Sequence, residues 1–270
     1  MRIALTRDPA QTGPLEAGLR AAGLQVEFLP LTEQRLPTDT SELRSALAAL
    51  GRGEFPWLML TSGNTVRALR KVGWDGTLPE QVRAGVVGPG TARVLADLSS
   101  ITDPWMPEAE KSAAGIIDGM PATSQDSGST LLLPQSGQAR STLREGLEAL
   151  GWEVASVTAY ETESLVVDRR ITAGDSTRRL LPPPNPGELL DLDQLAADLR
   201  RHRLSHVDAV VLLVTSSSSA DALADLGVPE RVRVLAIGRP TARTLIRRGI
   251  PADGVLREPS AAAVLAALGR

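Results

Sequence analysis

The sequence predicts an α/β protein with parallel sheets, built from a unit that the chain contains twice. Three observations carry this reading. Short apolar runs such as Trp57–Leu60 and Val210–Val214 alternate with helical stretches, and uniformly apolar strands suit a sheet covered on both faces. VVGPGTARVL at Val86–Leu95 returns as AIGRPTARTL at Ala236–Leu245, with Gly88 matching Gly238 at an offset of 150. Four blocks in all recur in the same order, which chance similarity among Leu/Ala-rich helices does not produce readily.

Ile3–Thr6 reads as the first strand, Leu15–Ala22 as a helix closed by Gly23, and Leu24–Leu29 as a second strand ending at Pro30. A shift of 128 residues lays Leu5, Leu15, Gly18, Leu19, Ala21, Gly23, Val26 and Glu33 on Leu133, Leu143, Gly146, Leu147, Ala149, Gly151, Val154 and Glu161. After a polar connection, Leu43–Leu50 is an amphipathic helix. Trp57–Leu60 is a buried strand running into Thr61–Asn64 and helix Val66–Val72. The counterparts, now offset by 154, are Val210–Val214, Thr215–Ser218 and Ala220–Leu226.

The repeated turn follows: a β-branched pair leads into Gly88, then Pro-Gly, with Thr91 placed as an N-cap. Helix Ser112–Gly119 matches Ser260–Leu268. The jump in offset requires an insertion. Thr172–Glu188, Pro-rich and Gly-containing, reads as that insertion and as a mobile loop. Each copy is thus β-α-β, a connection, then α-β-α-β-α, with helices on both sheet faces.

Composition narrows the function. At 270 residues, 42% hydrophobic and 23% charged, the chain has ample material for a core, and 3% aromatics leave that core to Leu, Val and Ala. The chain has no cysteine, so disulfides, thiolate nucleophiles and cysteine metal sites are excluded. MRIALTRDPA has no apolar stretch of signal-peptide length and no run approaches a membrane span, so a cytoplasmic protein with no membrane partner is expected. A net charge of −3 carries no footprint for nucleic acid, and any anionic ligand must be held by local donors.

In open parallel sheets ligands bind beyond the carboxyl ends of the strands. The loops there are Thr6-Arg7-Asp8, Thr61–Asn64, Gly88–Thr91, Pro134–Gln138, Thr215–Ser218 and Gly238–Thr241. They hold mostly neutral donors, together with the unpaired N–H groups of helix starts, and that suits carboxylate or phosphate. The competing reading makes each Ser or Thr a plain N-cap.

Gly88-Pro89-Gly90 departs from a dinucleotide fingerprint, because Arg93 stands at the third glycine position and Pro240 replaces Gly90 in the second copy. No phosphate-binding GxxxxGK[ST] loop is present, so no nucleotide cofactor is expected. His202 and His206, the only histidines, have no third ligand near them in sequence, and no metal is expected. Asp191-Leu192-Asp193 reads as a helix start. Tyr160, the only tyrosine, ends the strand matching Leu24–Leu29. It is either a packing residue with its hydroxyl satisfied or a phenol pointing into a cleft as donor or general acid.

LTR at Leu5–Arg7, LTSGNTVRAL at Leu60–Leu69, VVGPGTARVL, LLPQSGQARSTLREGLEALG at Leu132–Gly151, VTAYET at Val157–Thr162, VTSSSSADAL at Val214–Leu223 and AIGRPTARTLIRRG ending at Gly249 together resemble the uroporphyrinogen-III synthases. The resemblance covers nearly the whole chain. It implies two flavodoxin-like parallel-sheet lobes joined by a two-stranded connector, with a cleft between them. One lobe would be discontinuous, 1–33 plus 166–270, and the other 36–158, with crossings at 31–37 and 159–166 and the insertion at 172–188.

It also implies a cofactor-independent lyase of tetrapyrrole and haem biosynthesis. That enzyme cyclises hydroxymethylbilane to uroporphyrinogen III with inversion of ring D and loss of water. Carried over by motif position, substrate contacts fall on Thr6, Arg7, Ser62, Gly88, Thr91, Gln135, Ser136, Ser216, Gly238 and Thr241, with Tyr160 assisting departure of the hydroxyl. A monomer acting on a linear tetrapyrrole polycarboxylate is expected. Two other readings stay open: a catalytically inactive two-lobed binding or sensing module of the same fold, and a nucleotide-dependent transferase.

Overall fold

A computed structural model of the chain describes residues 1–121, 123, 130–168, 170–172, 176–191, 210–228 and 232–270. Strand β1 (Arg2–Leu5) leads through a short turn to helix α1 (Pro14–Ala21) and strand β2 (Gln25–Phe28). Pro14 occupies the first helical position, where its missing N–H costs nothing, and the Glu16 carboxylate accepts the Gly13 N–H at 2.9 Å. Strand β3 (Thr32–Arg35), helix α2 (Ser41–Gly51), strand β4 (Trp57–Leu60) and helix α3 (Gly63–Lys71) follow.

Strand β5 (Arg83–Val86) then enters helix α4 (Pro89–Leu98), and helix α5 (Ala113–Gly119) comes next. The second repeat opens with strand β6 (Thr130–Ser136), helix α6 (Thr142–Ala149) and the long strand β7 (Glu153–Ser164). A small hairpin of β8 (Val166–Val167) and β9 (Arg170–Ile171) precedes strand β10 (Val210–Val214) and helix α7 (Ser217–Leu226). Strand β11 (Arg233–Ile237), helix α8 (Arg239–Arg247), strand β12 (Gly254–Leu256) and helix α9 (Ala261–Ala267) close the chain.

The chain divides into two units. The first holds Met1–Glu33, Glu163–Ser176 and Leu181–Arg270; the second holds Gln34–Thr162 and Thr177–Leu180. The first unit's sheet has the order β12-β11-β10-β1-β2, with every pairing parallel. The second has β3-β7-β6-β4-β5, parallel from β7 to β5, and a parallel bridge from Gly85 to Trp105 extends it beyond β5.

Each sheet places a β-α-β block next to strands of the other copy, in the order of flavodoxin-like sheets. In the first unit β2 and β1 adjoin β10, β11 and β12; in the second β7 and β6 adjoin β4, β5 and the Trp105 segment. The repeats therefore exchange halves. The opening block of the first copy shares a sheet with the closing strands of the second, and the reverse.

The repeated glycines show why the copies look alike. A Cβ on Gly18 would strike Ala261 of α9, and one on Gly146 would strike Ile117 of α5. Both glycines let the helix of a β-α-β block press against the closing helix of the other copy. Between the layers, alternate strand residues fill opposite cores. In the first unit Val210, Leu212 and Val214 pack under α7 and α8, while Val211 and Leu213 pack with Leu15, Leu19 and Val264. In the second, Leu58 and Leu60 pack with α2, α3 and α4, while Trp57 and Met59 pack with Ile116, Leu143 and Leu147. Each fully buried Leu removes enough apolar surface to be worth about 2 kcal/mol, and burial on both faces is what makes these strands apolar throughout.

Two expectations need correction. The insertion is not simply a free loop: Leu36 N–H donates to the Arg178 carbonyl at 2.8 Å, and Leu180 N–H to the Gln34 carbonyl at 3.0 Å. Arg178 also donates to the Leu36 carbonyl at 2.8 Å and to Glu161 at 3.1 Å. The reason is β3's position at the end of its sheet, where an outer row of backbone groups needs partners. Thr91 is not the N-cap of α4; that residue is Gly88, and helix α4 begins at Pro89. Proline's fixed φ starts the helix early and puts Thr91 inside it.

Candidate functional site

The strand order places a switch point in each sheet, where neighbouring strands send their following helices to opposite faces and leave a crevice at the carboxyl ends. In the first unit it lies between β1 and β10, in the second between β6 and β4.

In the first unit Thr6 follows β1 and is fully buried. Its hydroxyl donates to the Leu213 carbonyl at 3.4 Å and accepts the Thr215 N–H at 3.2 Å, and its own carbonyl accepts the Ser219 hydroxyl at 3.0 Å. Thr6 thus ties the ends of β1 and β10 together. Ser216 caps α7 by accepting the Ser219 N–H at 3.1 Å, and its hydroxyl donates to Ser219 Oγ at 2.9 Å. Arg7 is committed too: its guanidinium bonds the Glu16 carboxylate, with Nε at 2.8 Å, and Glu16 is fully buried. The pair cancels charge, so this switch point offers hydroxyls and amides rather than a net cation. Gly238 and Thr241 belong to the end of β11, one strand further along. Gly238 caps α8 with φ 79 and ψ 152, and Thr241 is buried within that helix.

In the second unit Ser62 caps α3, accepting the Asn64 N–H at 3.1 Å. An accepting hydroxyl keeps its own proton for a ligand. Gln135 and Ser136 lie on β6 itself rather than in the following loop. Gln135 donates to Ser156 Oγ at 2.9 Å, and Ser136 Oγ accepts the Gln138 N–H at 3.2 Å. Ser136 is paired with Tyr160 across the sheet, where the register shifts between Gln135 and Ser136, and the Gly137 N–H donates to the Tyr160 carbonyl at 2.8 Å. Gly88 and Thr91 stand at the end of β5, Gly88 in fully extended backbone and Thr91 buried.

Tyr160 lies within β7, not at its end, and is 9% exposed in the core that includes Leu36, Leu60 and Val66. Among the described residues nothing hydrogen-bonds its hydroxyl, and that oxygen is not sealed from solvent. A phenol anchored by its ring with an unengaged, reachable hydroxyl can donate to a ligand.

The sequence reading missed Glu16 and Ser219. The Gly13-x-x-Glu16 spacing at a helix start was the available signal for the first; burial of the Ser219 hydroxyl against Thr6 leaves no trace in sequence. His202, His206, Leu192 and Asp193 lie outside the described residues. Among the described residues no group of three or more His, Cys, Asp or Glu side chains is placed to hold a metal ion, and no helix is long and apolar enough to cross a membrane.

The sequence profile of the family described as Uroporphyrinogen-III synthase HemD matches residues 13–266. The uroporphyrinogen-III synthase of Synechococcus elongatus is 32% identical over 167 residues, covering 59% of this chain and 60% of that protein. The chloroplastic uroporphyrinogen-III synthase of Oryza sativa subsp. japonica is 28% identical over 167 residues, covering 60% of this chain and 54% of its own. The chain thus spans less than two thirds of these relatives. Among solved structures, uroporphyrinogen-III synthetase from Helicobacter pylori superposes with a TM-score of 0.54 at 18% identity over 100% of both chains. A mutant uroporphyrinogen III synthase from Thermus thermophilus gives 0.53 at 18% identity over 100% of this chain and 99% of its own. At that identity these two show a shared α/β fold. With the profile match running over nearly its whole length, the chain belongs to the uroporphyrinogen-III synthase family.

Proposed function

We propose that this chain cyclises hydroxymethylbilane to uroporphyrinogen III, inverting ring D and releasing water without a cofactor. The observation that carries the reading, beyond family membership, is the chemistry of the two switch points. Both are furnished with hydroxyls and helix-start amides, and Arg7 at the first is neutralised by the buried Glu16. Such sites hold carboxylates by many moderate hydrogen bonds and orient a polyacid without needing a strong base.

The linear substrate also closes unaided to the wrong isomer, so the catalyst's task is to hold the chain with the substituted ring-D carbon presented first. Thr6, Arg7, Ser62, Gly88, Thr91, Gln135, Ser136, Ser216, Gly238 and Thr241 are the proposed contact positions. Because Thr6, Thr91 and Thr241 are buried, their part is to shape the amide-bearing turns rather than to meet substrate with their hydroxyls. Tyr160 is the proposed donor to the departing hydroxyl.

The deciding experiment incubates the protein with freshly prepared hydroxymethylbilane, oxidises the products and separates the I and III isomers. Isomer III in excess over the uncatalysed control is expected. Isomer I alone, from folded protein, would overturn this reading and leave the inactive binding module or the nucleotide-dependent transferase.

A further inference from the structure

The groove between α8 and β12, of about 720 Å³, is lined by Gly238, Arg239, Arg243, Ile246, Val255 and Arg257 among others. Arg239 and Arg243 are one helical turn apart on the same face of α8, and Arg257 follows β12. Among the described residues the side chain of none of the three makes an ion pair or hydrogen bond. Other arginines do find carboxylates, including Arg7 with Glu16, Arg178 with Glu161 and Arg248 with Asp225. The nearest acidic neighbours along the chain are engaged: Glu258 accepts the Ser260 hydroxyl at 2.9 Å and Asp253 accepts the Val234 N–H at 2.7 Å.

The floor of the groove is apolar in an unusual way. Of the four large apolar side chains left exposed among the described residues, two line it, Ile246 at 64% and Val255 at 47%. Unpaired cations around exposed apolar surface fit a ligand with an apolar body and several negative groups.

The internal repeat provides a control. The offset of 150 puts Pro89 and Arg93 where the second copy has Arg239 and Arg243. Gly85 bridges Trp105 as Leu235 pairs with Gly254, which puts Glu108 where Arg257 stands. At the three matched positions the second unit therefore carries a proline, one cation and one anion, with Lys111 beside Gly88 held by the Pro107 and Glu108 carbonyls, so the fold itself does not require the arginines.

We propose that the α8–β12 groove is an anion site for carboxylate side chains of a tetrapyrrole, adjoining Gly238 and separate from the switch point. This rests on the function proposed above. Arg239, Arg243 and Arg257 hold the acid groups while Ile246 and Val255 meet the apolar ring edge. The groove then selects polycarboxylates and supplies the cationic grip that the neutralised Arg7 cannot.

The test is fluorescence titration of the full chain with uroporphyrin, a stable polycarboxylate, over a range of salt. For Arg243→Gln/Arg257→Gln the dissociation constant should rise about tenfold or more, with a shallower salt dependence. Arg93→Gln should bind as the parent does. Equal affinity and equal salt dependence in the double variant, with unchanged circular dichroism, would overturn the proposal, as would failure of the parent chain to bind. The isomer assay on the same preparations separates the two readings: arginine-dependent binding without isomer III keeps the groove and rejects the reaction, whereas isomer III with arginine-independent binding does the reverse.

Discussion

Thr6 shows how much of a strand-end loop is spent on holding its own shape. Its hydroxyl serves the backbones of Leu213 and Thr215, so Thr6→Val would strand the half-buried Thr215 N–H and cost about 1–3 kcal/mol, read as a lower midpoint in urea unfolding. Tyr160 is the opposite case. Because its hydroxyl has no partner among the described residues, Tyr160→Phe should leave stability within about 0.5 kcal/mol. As the proposed donor to the leaving hydroxyl, its loss should cut turnover about 100-fold or more. A near-parental turnover in folded Tyr160→Phe protein would remove it from the mechanism. Arg7 and Glu16 form a third kind of contact, an ion pair whose carboxylate also caps α1. Glu16→Gln keeps the volume and loses the charge, and should lower stability by about 1–3 kcal/mol in thermal unfolding.

At the scale of elements, the two Gly-x-x-Thr turns look interchangeable in sequence yet differ in backbone. Gly238 sits at φ 79 and ψ 152, a region open essentially to glycine, whereas Gly88 sits at φ −177 in extended backbone. Gly238→Ala should therefore cost about 1–3 kcal/mol. Gly88→Ala, whose new Cβ would meet Lys111 Cβ at 3.4 Å, should cost about 0.5 kcal/mol or less. Parallel chemical-denaturation curves for the two variants check both. The same turns show where sequence reading falls short. Strands Trp57–Leu60 and Val210–Val214 are legible to the residue because burial on both faces leaves an uninterrupted apolar run. Helix starts are less so: Ser62, Ser112, Ser216 and Ser260 are side-chain caps as their residue type suggests, but Thr91 and Thr241 are buried helical residues. Both helices begin two residues earlier, directly after the glycine, with a proline in the first turn.

For the whole molecule, each unit has its own core, and the four tryptophans, Trp57, Trp74, Trp105 and Trp152, all belong to the second. Tryptophan fluorescence thus reports one unit, while far-ultraviolet circular dichroism reports both. Leu213→Ala empties a buried position in the first unit's core and should destabilise that unit by about 2–5 kcal/mol. The dichroism transition should then move to lower denaturant and separate from the fluorescence transition. Coincident, equally shifted transitions would mean that the units unfold as one.

Periodicity and repetition in the sequence alone determined the α/β class, the duplication and the buried strands Trp57–Leu60 and Val210–Val214. Each of these follows from local residue pattern, or from comparing the chain with itself. Only the tertiary structure decided the strand order within each sheet, that Arg178–Leu180 lies along β3, that Glu16 neutralises Arg7, and that Tyr160's ring is buried while its hydroxyl stays unengaged. Those facts depend on contacts between residues far apart in the chain. The energy of such a contact is set by burial and by which partner arrives, and neither is written in the residues on one side of it.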